Sequence, residues 1–511
     1  MSILTHRIAE PLLEFGHGQQ MEAPKDGLFL FGPLEGPDGR SQVRLGVIGT
    51  ESGVGLSRRW LERISLHIPG KVDAKGKPVL WAPAWPGFEA CFGIALPTRG
   101  MVELAVKSGD IDHCIKKNNR ADAVRSTVLL FANAIRAHIR AEERRPDVWL
   151  VVVPDVVYRY GRPQVAPPPK DERTPSDITS FKDAKRFFQM GGDLFPDTVR
   201  DAETYLFSSN FHHQLKAELL QDGVVLQLIL ESTLVDRNLN ITNDRRRGLQ
   251  DEATVAWNFC TTLYFKMDAK PWALAHVRPG VCYVGLVFKN DDTPAATGEA
   301  CCAAQMFLNS GDGLVFRGAL GPWYSDERKE YHLSRSAAAN LMTSVVEGYK
   351  LKHGKPPNQL FIHGRHRFSN DEWDGFCSAV PTETQLVGVR IKQLDDVRLF
   401  RPSASTPVLR GTALTVGDWS GYLWARGFVP RLAGYQGFET PKPLTVDVTH
   451  GEGDIVEVLG DILALTKVNY NACDFASALP VTLKSADRVG EILMASPHTV
   501  TAPPLPFRHY I

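Results

Sequence analysis

The sequence lacks several features that mark large classes of protein. It has no HExxH, GxSxG or P-loop motif. Its eight cysteines form no CxxC pair and no zinc-like spacing, and most lie in apolar runs, as reduced core cysteines do. No stretch of about 18 apolar residues occurs, which excludes an ordinary transmembrane helix. The first residues show no basic-then-apolar signal pattern. We therefore expect a reducing, cytoplasmic location without membrane contact.

An excess of charge of either sign is also missing. Lys plus Arg and Asp plus Glu each number 58. A nucleic-acid site in such a chain has to be a local channel, because no basic body exists to attract phosphates globally. The length of 511 residues predicts two to four domains with large cores. No fixed-period repeat is present, which argues against a solenoid or a propeller.

The first half of the sequence predicts an open α/β sheet. Residues 1–100 read as strand-rich, with short apolar runs such as 27–33 closed by Gly or Pro. The segment 49–55 resembles a phosphate loop but lacks its Gly-Lys-Ser/Thr ending, so it is interpreted as a turn. Residues 122–142 have the spacing of an amphipathic helix, and the continuous apolar run 148–154 after them is typical of a strand covered on both faces. Further elements are predicted as helices at 211–220 and 253–267 and an apolar run at 224–230.

The second half predicts the element order of a ribonuclease-H-like fold. A composition break at 269–279 precedes a strong apolar run at 281–288. Two further strands, 301–308 and 314–320, flank a Gly-Asp-Gly turn, which is a hairpin signature. A helix at 334–352 and a strand at 359–363 follow. Three strands, a helix and a fourth strand indicate that fold, so the fold class is α/β throughout.

A scattered polar set points to a phosphate pocket. His212 and Lys216 stand at i, i+4 on one predicted helix face, and Gln227 and Lys266 follow downstream. The sequence ends on the apolar run 506–511, whose last α-carboxylate could ligate a hard cation and so recruit a phosphate. Each feature has a structural alternative: a solvated helix face, a snorkelling lysine, or simple packing of the chain end. Gln227 is harder to dismiss, because a polar group in an apolar run needs a partner.

The chain resembles a short prokaryotic Argonaute, a family with MID and PIWI domains but without the N-terminal and PAZ domains of long Argonautes. The resemblance implies a Rossmann-like MID domain over residues 1–275 and a ribonuclease-H-like PIWI domain over 276–511. It lies in Phe211-His212-His213-Gln214-Leu215-Lys216, Val225-Leu226-Gln227, Lys266, Lys270-Pro271-Trp272, residues 279–286, 465–471, 479–482 and 506–511.

The resemblance also implies site residues. His212, Lys216, Gln227 and Lys266 match the set that grips the guide 5′-phosphate, and the carboxylate of Ile511 matches the ligand of a Mg²⁺ ion there. A terminal phosphate carries nearly two negative charges near neutral pH, so ammonium groups together with a metal ion are suitable partners for it. His212 replaces the tyrosine of many relatives, and whether it stacks on the first nucleotide or donates to it stays open.

At two positions where cleaving relatives carry a metal-binding Asp, this sequence has a different residue type. Slicing Argonautes hold two Mg²⁺ ions with an acidic tetrad. Val287 stands at the first Asp position and Arg365 at the second, while Asp487 matches a possible fourth member. One carboxylate cannot hold two divalent ions, and a guanidinium repels them. We therefore predict no catalysis by this chain. A nuclease with displaced metal ligands is the alternative.

The resemblance implies a role in prokaryotic defence. A 5′-phosphorylated guide RNA would pair with single-stranded DNA of an invading plasmid or phage. An associated APAZ-domain effector, of TIR or Sir2 type, would then degrade NAD⁺ in a heterodimer that oligomerises on activation. A guide-free scaffold subunit is the other alternative. Candidate contacts to the nucleic-acid backbone are Lys270, Arg278, Arg365, Arg367, Lys467, Asn469 and Arg508.

Overall fold

The structure is a computed structural model. It describes the chain except for residues 1–2, 38, 40–41, 179, 190–195, 236–249, 277, 291–299, 308–312, 321–322, 326–329, 396, 401, 403–404, 436, 438 and 497–504.

The strands are β1 (Ile3–Arg7), β2 (Leu13–Glu14), β3 (Gln20–Met21), β4 (Leu45–Gly49), β5 (Val102–Ala105), β6 (Val148–Val153), β7 (Leu226–Leu230), β8 (Ala273–Leu274), β9 (Val281–Asn290), β10 (Ala300–Phe307), β11 (Gly313–Leu320), β12 (Trp323–Ser325), β13 (Glu330–His332), β14 (Gln359–Gly364), β15 (Gln385–Gln393), β16 (Thr412–Val416), β17 (Ser420–Leu423) and β18 (Leu444–His450). The α-helices are α1 (Pro24–Phe31), α2 (Glu51–Ser65), α3 (Phe88–Phe92), α4 (Ser108–Ile115), α5 (Arg120–Ala141), α6 (Asp155–Tyr160), α7 (Phe181–Gln189), α8 (Pro196–Glu203), α9 (Phe211–Leu220), α10 (Glu231–Leu234), α11 (Glu252–Lys266), α12 (Arg335–His353), α13 (Asn370–Ala379), α14 (Ile455–Leu465) and α15 (Val481–Leu493).

The first large unit is a four-stranded parallel sheet with helices on both faces. Its strand order is β5-β4-β6-β7, and all pairings are parallel. Every residue of β6 is buried, as its continuous apolar sequence predicts. Helix α5 begins where the side chain of Asn119 accepts from two backbone N–H groups, and its apolar stripe packs on the sheet. This confirms the Rossmann-like expectation for the first half.

The second unit is a nine-stranded mixed sheet in the order β1-β16-β17-β18-β15-β14-β9-β10-β11. Strands β9, β10 and β11 form an antiparallel meander, and β14 returns parallel to β9 after helix α12. This is the order expected of a ribonuclease-H-like fold, which the structure confirms. Residues 310–312 of the predicted hairpin turn lie outside the described residues.

The expectation that residues 1–100 are mainly strands is wrong. The apolar run at 27–31 lies in helix α1, which begins at Pro24 and ends at Gly32, a residue with φ of 73°. Pro at the first helical position and Gly just after the last one favour a helix whatever the apolar run suggests. The segment 49–55 is also not a turn: Thr50 caps α2 by accepting from the N–H of Gly53. Helix α2 carries a strong apolar stripe that a short window hides.

The amino-terminal segment crosses between the two units. Strand β1 is the edge strand of the nine-stranded sheet and pairs with β16. Strands β2 and β3 form a small sheet with β8 instead. A division of the chain at residue 275 therefore separates the two large sheets, but the segment before residue 8 belongs structurally to the second. In the part of the chain that the structure describes, no helix combines the length and apolar character needed to cross a bilayer.

Helix α15 lies directly on strand β9. A Cβ atom at Gly285 would overlap with the main-chain oxygen of Thr482, so only glycine permits this approach. The carboxyl half of α15 meets helix α9 of the first unit. One helix therefore reaches from the centre of the second sheet to the edge of the first.

Candidate functional site

The predicted phosphate-binding residues come together at the open edge of the parallel sheet. His212 and Lys216 lie on α9, Gln227 lies on the edge strand β7, and Lys266 is the last residue of α11. All of them, with Ile511, line one cavity of about 310 Å³. The complete lining is His212, His213, Lys216, Gln227, Leu228, Thr262, Lys266, Asn471, Arg488, Glu491, Ile492, Tyr510 and Ile511.

Two lysine side chains are buried in this cavity without a carboxylate side chain to pair with. The Nζ of Lys216 donates to the main-chain oxygens of Ile511, at 2.5 Å, and Tyr510, at 3.3 Å. The Nζ of Lys266 donates to the main-chain oxygen of Leu226 and to Oε1 of Gln227, both at 2.7 Å. Among the described residues, neither lysine forms an ion pair with an Asp or Glu side chain, but the Ile511 oxygen that Lys216 contacts belongs to the α-carboxylate of the last residue. Gln227 thus has the partner that its apolar surroundings demand.

The burial of these ammonium groups lowers their pKa values. Burial, and then repulsion from Arg488, lowers the pKa of Lys216 to about 7. The pKa of Lys266 lies well below its ordinary value for the same reason, with Lys216 and Arg488 adding repulsion. Arg488 is exposed at the cavity and makes no ion pair within the described chain. The site therefore concentrates positive charge that an anion would stabilise.

His212 stands at the junction of this cavity with a second one. Its ring is open to both spaces, yet the surrounding protein desolvates it, and Lys216 and His213 add repulsion. The pKa of His212 accordingly lies well below its ordinary value, so the ring is neutral at neutral pH. The second cavity has a volume of about 250 Å³ and is lined mainly by apolar groups at the carboxyl ends of β6 and β7 and the start of α9. Tyr158 and Arg162, stacked at 3.9 Å, also line it.

The last residues pack into the first unit. Ile511 is 4 % exposed, and Phe507 packs against Phe265. The carboxylate oxygen of Ile511 and the amide oxygen of Gln227 are oxygen donors of the kind that Mg²⁺ takes. Each of them accepts a hydrogen bond from a lysine ammonium group, Ile511 from Lys216 and Gln227 from Lys266. The donor types fit a hard divalent ion, which would have to displace these two ammonium groups from the oxygens.

Several candidates for nucleic-acid contact are instead held by acidic partners. Lys270 pairs with Glu35 at 2.8 Å, and Arg508 pairs with Asp268. Arg278 pairs with Glu457 and Asp461 and donates to Gln359. Each of these cations is partly neutralised, which weakens the case for a contact with phosphate.

Lys467 and Asn469 are not accessible in this structure. Lys467 is 1 % exposed, and its Nζ contacts Oε1 of Glu10 at 2.8 Å and the ring of Phe475 at 4.0 Å. Asn469 is also buried, and its Oδ1 accepts from the N–H of Asn471. An enclosed side chain cannot reach a nucleic-acid backbone, so the structure argues against both assignments. Arg367 is exposed and makes no ion pair in the described chain, which leaves it as a candidate.

The three positions matched to cleavage residues lie near the middle of the second sheet. Val287 is buried in the core and presents no ligand atom. Arg365 forms an ion pair with Asp487, and Nζ of Lys289 lies 3.2 Å from the same carboxylate. Two cations therefore contact Asp487, the one acidic side chain among the three matched positions.

Sequence reasoning missed part of the cavity. Arg488 and Glu491 come from α15, where they are one helical turn apart, and Thr262 lies one turn before Lys266 on α11. His213 contacts Glu491 at 3.5 Å. The i, i+3 spacing on α15 is visible in the sequence, but nothing local places that helix beside α9. Asn471, which lies in the matched segment 465–471 but is not among the predicted site residues, lines the cavity as well.

Solved structures share this architecture. The chain aligns over 98 % of its length with Clostridium butyricum Argonaute bound to a guide DNA and a 19-mer target DNA, with a TM-score of 0.63 and 15 % identity. It aligns over 99 % of its length with Drosophila Piwi, with a TM-score of 0.57 and 11 % identity. It also aligns over 99 % of its length with Aa-Ago bearing externally bound siRNA, with a TM-score of 0.54 and 14 % identity.

The chain spans 54–56 % of the length of these three proteins. No protein-family model matches the chain, and no curated protein matches its sequence. The structural alignments alone show that the fold is that of an Argonaute MID and PIWI pair.

Proposed function

We propose that this Argonaute-like chain binds a guide nucleic acid by its 5′-phosphate in the cavity around Lys216 and Lys266. The observation that carries the proposal is the burial of two ammonium groups, 5 % and 2 % exposed, of which Lys216 contacts the α-carboxylate of Ile511. The hydrogen bonds of Lys266 within the described residues go to neutral oxygens of Leu226 and Gln227, and burying a charge without a counter-charge is costly unless a ligand completes the site. Such an arrangement favours a ligand of opposite charge.

A terminal phosphate fits this site better than an internal one. A phosphate monoester carries about −1.5 to −2 charges at pH 7, whereas a diester in the backbone carries one. Lys216, Lys266 and Arg488 together offer up to three positive charges at the cavity, and Glu491 and the α-carboxylate of Ile511 offset up to two of them. A bound Mg²⁺ would restore the positive surplus that favours the dianion at the end of a strand. The adjoining apolar cavity, which shares His212 and His213, has room for part of the first nucleotide.

Mg²⁺ is part of the proposal. Ile511 and Gln227 would hold it through oxygen, and when bound it supplies further positive charge to the phosphate. Lys216 and Lys266 donate to these same two oxygens, so an ion bound there would release both ammonium groups toward the phosphate.

Guide loading tests the pocket. The double variant Lys216→Ala, Lys266→Ala should bind a 5′-phosphorylated oligonucleotide about 10²- to 10⁴-fold more weakly, since each hydrogen bond to a charged group contributes about 1.5–3 kcal/mol. The control Lys355→Ala removes an exposed lysine on another surface and should change nothing. A 5′-hydroxyl oligonucleotide should bind the parent as weakly as the phosphorylated one binds the double variant. Unchanged loading by the double variant would refute the pocket.

We further propose that the chain recognises its target without cutting it. The pairing of Asp487 with Arg365 and Lys289 supports this, because bound cations would compete with divalent metal at that carboxylate. A cleavage assay with guide, target and Mg²⁺ or Mn²⁺ should give no product. Multiple-turnover cutting that is lost in Asp487→Ala would establish the alternative, a nuclease with displaced ligands.

The biological role proposed is activation of a separate effector. The resemblance to short Argonautes supports a guide RNA, a single-stranded DNA target and an APAZ-domain partner of TIR or Sir2 type that depletes NAD⁺. An NAD⁺ assay on the co-expressed pair with guide and target should show target-dependent loss. Short 5′-phosphorylated RNA should co-purify with the chain. Its consistent absence would favour the other alternative, a guide-free scaffold subunit.

A further inference from the structure

Two histidines and a glutamate converge inside the second unit, away from the phosphate cavity. His332 ends β13, His366 follows β14 by two residues, and Glu372 lies in the first turn of α13. Their exposed fractions are 0 %, 6 % and 0 %. One potential ligand atom from each lies within 4.8 Å of the others.

The geometry within this cluster is close to that of a metal site. Nε2 of His366 lies 3.7 Å from Oε1 of Glu372, and Nδ1 of His332 lies 2.7 Å from Oε2. Zinc ligands at about 2.0–2.2 Å in a tetrahedron stand about 3.4 Å apart. The first separation already fits. The second is a hydrogen bond whose proton would leave and whose atoms would part by about 0.7 Å when an ion enters.

His366 supplies an independent indication. Its side chain is more than nine-tenths buried, and its Nε2 faces the Glu372 carboxylate at 3.7 Å but makes no hydrogen bond of normal length within the described chain. The rings of Phe288 and Phe368 flank it, with centroids at 4.9 and 5.4 Å, so bulk water has no ready access. A buried nitrogen that faces a carboxylate from just beyond hydrogen-bond distance leaves room for an ion between the two groups.

Glu372 is prepared as a ligand by the backbone. Its carboxylate accepts from the N–H groups of Leu333 and Ser369, the second within a capping box. Donors behind a ligating carboxylate fix its orientation, as they do in known metal sites.

We propose that His332, His366 and Glu372 form a binding site for one Zn²⁺ ion per chain. Two imidazole nitrogens and one carboxylate are a donor set that zinc takes, with a fourth position for water or another group. The ion would join β13, the segment after β14 and the start of α13. That segment also carries Arg365 and Arg367, so the ion would fix the loop from which both guanidinium groups project.

The test uses the full-length chain. Zinc is removed by chelation and restored in equimolar steps, and bound metal is measured by mass spectrometry under native conditions and by elemental analysis. Cobalt replaces zinc in a parallel titration to give a ligand-field spectrum. We expect one ion per chain, a tetrahedral cobalt spectrum, and a thermal midpoint that rises when zinc is restored.

Variants locate the ion. His366→Phe keeps an aromatic ring between Phe288 and Phe368, so the fold should survive, while bound zinc should fall from one ion to none and the zinc effect on the midpoint should vanish. His353→Phe, on an exposed position of α12, should still bind one ion. A folded parent chain that takes up no zinc would overturn the proposal. So would a His366→Phe variant that still binds one ion.

Discussion

The pKa of Lys216 makes the affinity for a 5′-phosphate depend on pH in a defined direction. In the free protein that pKa is lowered to about 7. A bound phosphate would raise it again, because an anion next to the ammonium favours the protonated form. Binding therefore takes up a proton when the pH is above 7. The affinity is fully expressed below the pKa of the free protein and falls as the pH rises through it.

The size of the effect follows from the same value. With a pKa of about 7, roughly half of the Lys216 side chains are protonated at pH 7 and about one in a hundred at pH 9. The phosphate itself, with a second pKa near 6, is already mostly a dianion at pH 7. The affinity for a 5′-phosphorylated guide should thus fall roughly 50-fold from pH 7 to pH 9. Lys266, whose pKa is also lowered, would add to this fall.

The assay is a fluorescence-anisotropy titration at constant ionic strength in a phosphate-free buffer. Guides that differ only in a 5′-phosphate or a 5′-hydroxyl are compared, and the ratio of their dissociation constants isolates the pocket. The ratio should be large at pH 7 and should shrink toward pH 9. The Lys216→Met variant should show a small ratio that no longer titrates near pH 7. A ratio that stays constant between pH 7 and pH 9 in the parent chain would refute the reasoning.

Two further predictions concern the two ends of the chain. Glu10→Gln should lower the free energy of unfolding by about 3–5 kcal/mol in urea denaturation, because Arg410 and Lys467 would stay buried without their carboxylate. The control Glu62→Gln, on an exposed helix face, should have little effect. The pKa of Glu10 is lowered in the folded state, so the deficit should shrink as the pH falls through that pKa, and a deficit that is independent of pH would contradict the assignment. A short Gly-Ser tail after Ile511 should reduce the preference for a 5′-phosphate in the same anisotropy assay, because the α-carboxylate would no longer lie at Ile511. An unchanged preference would exclude a role for the Ile511 carboxylate.

The sequence predicts the fold well where a strand is buried on both faces. The runs at 148–154 and 281–288 are continuous and apolar, and both are strands, since no other short element hides every side chain. The run at 27–31 looks the same in a short window but lies in α1, where Leu28 is buried and Phe29 is exposed. The Pro and Gly at its ends decided the outcome. Local composition alone could not, because helix and strand both accept short apolar runs.

The candidate site is predictable only in part, because its pieces are distant in the sequence. The i, i+4 spacing of His212 and Lys216 is visible locally, but the contact between Lys216 and Ile511 spans 295 positions. Only the resemblance to a family united them. Lys467 shows the opposite case: it looks like a surface cation, and its partner Glu10 lies 457 positions away. Single-residue reasoning cannot distinguish a buried ion pair from a solvated charge when the partner is that remote.

Helix α15 connects the phosphate cavity of the first unit with the centre of the second sheet. Asp487 on this helix is held by Arg365 and Lys289, and Lys289 also contacts Glu491, which lines the phosphate cavity and contacts His213. Arg488, between them, faces the buried lysines and lowers their pKa values. A phosphate that attracts Arg488 therefore acts on the same helix whose other side is tied to the centre of the second sheet.

Under the proposed role, Arg488→Gln should raise the pKa of Lys216, because a repelling cation is removed. The pH at which 5′-phosphate affinity falls should then shift upward, while the positive charge available to the phosphate decreases.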